Sequence, residues 1–116
     1  MNTYDLFAGD ELIIAEKIQQ RRYQLLVHSC IYYHLNASCI TDKQWDEWAK
    51  ELCNLQSSYP QIAEKVTLYE YFKDWDGSTG AFLPITLPWV IQIASRFVTV
   101  SKSEKKIKKV EKRKLF

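Results

Sequence analysis

Glycine and proline are scarce in this chain, three of each in 116 residues, and neither falls between Asp10 and Tyr59. Nothing over that stretch breaks a helix. No glycine-rich phosphate loop is present, and no Ser or Cys sits in a nucleophile elbow. The three cysteines, Cys30, Cys39 and Cys53, are an odd and scattered set with no Cys-x-x-Cys pair. That excludes a disulfide framework and a zinc site, and leaves buried or half-buried free thiols. His28 and His34 have no metal-ligand spacing with each other or with a cysteine, so no metal residue is assigned. No apolar run reaches the roughly 18 residues of a membrane span. The first five residues, Met1 to Asp5, lack the basic start of a signal peptide. A cytoplasmic protein without membrane contact is expected.

What the chain does have is aromatic rings and an uneven charge. Phe, Trp and Tyr make up 14% of the residues, a content that suits an interaction surface as well as a core. Eight of the sixteen Lys and Arg, but only two of the fourteen Asp and Glu, fall in residues 102–116. That segment therefore carries +6 and the remainder −4: an acidic body with a basic tail.

Helical periodicity organises the body. Leu12, Ile13, Ile14, Ala15, Ile18, Leu25, Leu26, Ile31 and Leu35 recur at helical spacing, and Gln19 to Arg22 mark the solvent side. With Asp10 as N-cap, a helix is expected from about Glu11 to Asn36. Thr41 and Gln44 form a capping box for a second helix, Thr41 to Gln56, whose apolar stripe is Trp45, Trp48, Ala49, Leu52 and Leu55. Pro60 opens a third helix running to about Phe72. Asp74 to Gly80 reads as a loop with an exposed Trp75 as a contact residue, and Phe82 to Ile85 as a short extended piece. Pro88 opens a fourth helix, and the tail either continues it or frays. The expected fold is all-α, a helical hairpin plus one or two further helices and a basic C-terminal tail. One helical domain spans residues 1–101, and the tail spans 102–116.

The stretch from His28 to Pro60 carries a more specific pattern. His28 is followed by Tyr32 and Tyr33. Ile40, Asp42, Trp45 and Asp46 form the turn into the second helix. Glu51, Leu52 and Leu55 close it, and Tyr59-Pro60 follows. This resembles the N-terminal Ia domain of bacterial NAD-dependent DNA ligases, with Trp45 in place of the usual Tyr and Ser38-Cys39 in place of a Pro-Glu linker. The resemblance implies a pocket for the nicotinamide mononucleotide (NMN) half of NAD, formed by His28, Tyr32, Tyr33, Asp42, Trp45 and Asp46. The chemistry agrees with it. A flat, electron-poor ring stacks on aromatic faces. Asp42 and Asp46, four residues apart, present carboxylates on one helix face to accept from hydroxyls or a carboxamide.

No catalytic residue is assigned. The adenylated lysine of a ligase requires Lys-x-Asp-Gly, whereas Lys73-Asp74-Trp75-Asp76-Gly77 has one residue too many. The acids from Asp74 to Ser78 lack the glycine and glutamate of a calcium loop. Three readings stand. A non-catalytic binding or regulatory protein would use Asp42, Asp46, Glu47 and Trp75 against a basic protein surface. This is the favoured reading, on the acidic body. A phage-encoded inhibitor of a host nucleic-acid-handling or defence enzyme, acting in the host cytoplasm, is one such case. An NMN- or NAD-binding module with no resident cofactor is the second. The third is an auxiliary DNA-binding protein acting through Lys105, Lys106, Lys108, Lys109, Lys112 and Arg113.

Overall fold

The computed structural model describes residue 7 and residues 9–115, with side chains described as far as Lys102. Residues 1–6 and residue 8 lie outside the described residues. So do the six basic tail side chains named above.

Among the described residues five helices follow in order: α1 (Asp10–Tyr33), α2 (Asp42–Ser58), α3 (Pro60–Lys65), α4 (Tyr69–Phe72) and α5 (Pro88–Leu115). The described residues contain no strand, and the fold is all-α. Helices α1 and α2 form the hairpin, and α5 packs on α1. Ile18, Leu25, Leu26 and Ile31 of α1 meet Leu52, Phe72, Val90 and Ala94 in a core from which water is excluded. Each large side chain there contributes about 1.5–3 kcal/mol by burial.

The helix ends follow local chemistry. Gly9, not Asp10, is the N-cap of α1, with φ 55°; Asp10 opens the helix, where its charge opposes the macrodipole favourably. The C-terminus falls at Tyr33 rather than Asn36. Asn36 takes a left-handed conformation, φ 52°, which asparagine tolerates, and the Leu35 and Ala37 amides bond back to the carbonyls of Cys30 and Ile31. The cap of α2 is as expected: the Gln44 amide donates to Thr41 Oγ1 at 3.0 Å.

Two expectations fail. Arg21 and Arg22 do not lie on the solvent side. Arg21 donates from Nε to Glu51 Oε2 at 3.0 Å and stacks over Trp48, which fastens α1 to α2. Arg22 is fully buried. Its Nε reaches Gln56 Oε1 at 2.9 Å, Nη1 reaches the carbonyls of Val66 and Thr67, and Nη2 reaches that of Ala63. This guanidinium takes the carbonyls at the C-terminal end of α3. The single helix expected over Pro60 to Phe72 therefore stops at Lys65, turns through the left-handed Leu68, and restarts as α4. Residues Phe82 to Ile85 form successive turns rather than an extended piece, closed by Leu83 N to Gly80 O and Ile85 N to Leu83 O.

Candidate functional site

The C-terminal turns of α1 and the first turns of α2 meet across the connector 34–41. Between them lies a cavity of about 320 Å³, at the lower end of the ~300–1,000 Å³ usual for small-molecule sites. All six residues of the sequence-derived pocket line it: His28, Tyr32 and Tyr33 from α1, and Asp42, Trp45 and Asp46 from α2. The i,i+4 spacing of Asp42 and Asp46 puts both carboxylates at its rim, where both residues are exposed. Tyr32 and Tyr33 are also largely exposed, and their rings meet edge to face at 4.9 Å.

His28 closes the floor. Its ring sits between those of Trp48 and Phe97, at 5.7 and 5.6 Å. Burial pushes its pKa below the ordinary histidine value, so the ring is neutral near pH 7. Among the described residues, its Nδ1 is the one buried side-chain nitrogen or oxygen with no hydrogen-bond partner, a state that costs stability unless something fills it.

The fourth wall was not anticipated. Ser78 and Thr79 line the cavity from the loop between α4 and α5. Thr79 Oγ1 and the Tyr33 hydroxyl are 3.0 Å apart. Gly80 lies flush against Ser29, whose Oγ accepts from Trp45 Nε1 at 3.3 Å. A Cβ on Gly80 would collide with the Ser29 hydroxyl and come within 2.6 Å of its Cβ. The turn before it uses Gly77 at φ 82°. Asp76 Oδ1 accepts from both the amide and hydroxyl of Ser78, and the hydroxyl bond first, then the amide, holds the Asp76 carboxyl below its ordinary range. In the sequence this loop signalled only a turn; nothing marked Ser78 or Thr79 as neighbours of Tyr33, 45 and 46 positions earlier.

Trp75 is not the exposed ring expected. It is half-buried, edge-on to Trp45 at 5.9 Å and to Phe72 at 5.3 Å. Its Nε1 donates to Thr79 O at 2.7 Å, so it supports the loop. Glu47 is exposed on α2 beside Asp46, outside the cavity lining. Cys30, Cys39 and Cys53 are free thiols, with Cys39 in the cavity lining. The described residues contain no His, Cys, Asp and Glu cluster able to hold a metal ion.

The family model for a DNA ligase-like, N-terminal NAD+-binding domain matches residues 12–65. That stretch contains every one of the six pocket residues. The hairpin resembles the ligase Ia domain. A DNA ligase of Bacteroides fragilis is 39% identical over 54 residues, covering 47% of this chain and 8% of that protein. A human adhesion G-protein coupled receptor G7 is 27% identical over 108 residues, covering 84% of this chain and 14% of the receptor. The chain thus spans less than a sixth of the length of either relative. No solved structure matches it. No helix among the described residues is long and apolar enough to cross a membrane. The Ia-like match ends at residue 65, before the loop that supplies Ser78 and Thr79.

Proposed function

We infer that this chain is a non-catalytic binding module that takes the nicotinamide mononucleotide half of NAD in the hairpin cavity. The observation that carries this reading is the convergence of His28, Tyr32, Tyr33, Asp42, Trp45 and Asp46 on one cavity of about 320 Å³. The cavity's charge suits the nicotinamide end of the ligand, with the phosphate left towards solvent. Its lining has two carboxylates, a neutral imidazole and neither Lys nor Arg. A positively charged pyridinium ring is attracted to such a site, and aromatic faces add cation–π attraction. Ribose hydroxyls and a carboxamide N–H find acceptors in the exposed carboxylates of Asp42 and Asp46. The expected affinity for NMN is micromolar to millimolar, or about 4–8 kcal/mol. Calorimetric titration tests it: wild type binds, and Asp46→Ala or Tyr33→Ala abolishes the heat. No heat from wild type at high NMN concentration would sink the reading.

A second reading is supported by the exposure of Asp42, Asp46 and Glu47 on one end of α2. That acidic face suits docking on a basic protein surface, such as the nucleic-acid channel of an enzyme that the chain would inhibit. Charge reversal at the three positions would then weaken the complex and slow association at low salt, while removing residues 102–116 would have little effect. The opposite pattern, with loss of a salt-sensitive DNA interaction on truncation alone, would transfer the function to the basic tail.

A further inference from the structure

We propose that Thr79 is a positioning residue of the nicotinamide-nucleotide site, holding Tyr33 in place from a loop outside the ligase-like stretch. This rests on the binding reading above. Both aromatic walls of the cavity are tied to one short loop. The Tyr33 hydroxyl is 3.0 Å from Thr79 Oγ1. Trp45 is held through Ser29, against which Gly80 packs with no room for a Cβ.

Thr79 is itself fixed at both ends. Its carbonyl accepts from Trp75 Nε1 at 2.7 Å, and its Oγ1 accepts from the Ala81 amide at 3.1 Å. Trp75 in turn is wedged between Phe72 and Trp45. The chain of contacts runs from the core through Trp75 and Thr79 to Tyr33, an exposed ring that otherwise packs edge to face on the equally exposed Tyr32. Preorganising such a ring lowers the entropy lost when a ligand stacks on it. Ser78 adds a second hydroxyl beside Thr79 in the lining. The loop thus adds small uncharged hydroxyls to the lining that Asp42 and Asp46 share.

The test is a double-mutant cycle in the full chain, with NMN as the probe. Thr79→Val removes the hydroxyl at nearly constant volume, and Tyr33→Phe removes its partner. Each weakens NMN binding about three- to tenfold, the worth of one net hydrogen bond. The double variant loses no more than Thr79→Val alone, whose loss includes the acceptor of the Ala81 amide, and Thr79→Ser restores the wild-type affinity. Losses that multiply, a Thr79→Val variant with wild-type affinity, or a serine variant no better than valine would overturn the proposal while leaving NMN binding intact. Aromatic-ring NMR of the ligand-free protein gives a second readout. Thr79→Val shifts the Tyr33 ring signals and leaves those of Tyr71 in place. Unchanged Tyr33 signals overturn the positioning role whether or not NMN binds, whereas a wild-type protein indifferent to NMN with shifted Tyr33 signals overturns the binding reading and with it a role for Thr79 in that site.

Discussion

Replacing Arg22 by Met should be among the most damaging single changes in the molecule. The side chain has zero exposure and ties α1 to residues up to 45 positions away. Methionine keeps most of the apolar stem but none of the donors. The Val66 carbonyl then loses its 2.9 Å buried partner, and the Ala63 carbonyl keeps only the long 3.3 Å bond from the Val66 amide. Each buried acceptor left without a good partner costs about 1–3 kcal/mol. The bonds to Gln56 and Thr67 are only partly buried, and water replaces them at lower cost. Stacking of the guanidinium over Tyr69 and Phe72 is also lost. The sum is about 2–6 kcal/mol, a large share of the ~5–15 kcal/mol that holds a domain together. Urea unfolding followed by circular dichroism should show the midpoint falling with the slope unchanged, and Tm should drop by about 10 °C or more. Arg22→Lys, which keeps the charge without the planar fork, should lie in between. A loss below about 1 kcal/mol for Arg22→Met would refute the view that this guanidinium stops α3 and anchors it to α1.

Gly80→Ala should cost about 1–3 kcal/mol by overpacking against Ser29, and should change the Trp45 environment seen in fluorescence. Ser29→Gly in the same chain should recover part of the loss, and strict additivity of the two would argue against a direct clash. His28 contributes to the acid side of the stability profile. Its folded pKa lies below the ordinary value, so the unfolded chain binds more protons as pH falls. Stability attributable to this group is complete above about pH 6.5 and is lost as pH drops towards the lower folded value. Denaturation series between pH 7.5 and 5 should show that slope, and His28→Phe, which retains the packing between Trp48 and Phe97, should flatten it; an unchanged slope would contradict the burial argument.

The parts of the molecule legible in its sequence are those set by short-range patterns. The absence of Gly and Pro from Asp10 to Tyr59 marks the first two helices. Thr41 and Gln44 fix the start of α2, and the His28 to Asp46 spacing places six cavity residues on facing helix turns. What stayed hidden depends on contacts between distant segments. Arg22, beside Arg21 in a polar run, has the local signature of a solvated residue; only the carbonyls at the end of α3 explain its burial. The same contact breaks the helix that Pro60 begins. Trp75 looked exposed because its loop is polar and glycine-containing, yet Thr79 O, Phe72 and Trp45 draw it inward. The fourth wall of the cavity escaped notice for a related reason. A Ser-Thr pair has no intrinsic preference for Tyr33, and only the path of the chain after α4 brings them together.

The most direct test of the NMN site is a titration of isotope-labelled protein with NMN, followed by amide and tryptophan side-chain NMR. Shifts should saturate in the micromolar-to-millimolar range and cluster at His28, Tyr32, Tyr33, Asp42, Trp45, Asp46, Ser78 and Thr79, with the Trp45 indole N–H among the most affected. Perturbations spread over α5, or none at high millimolar NMN, would contradict the assignment of the hairpin cavity as a nicotinamide-nucleotide site.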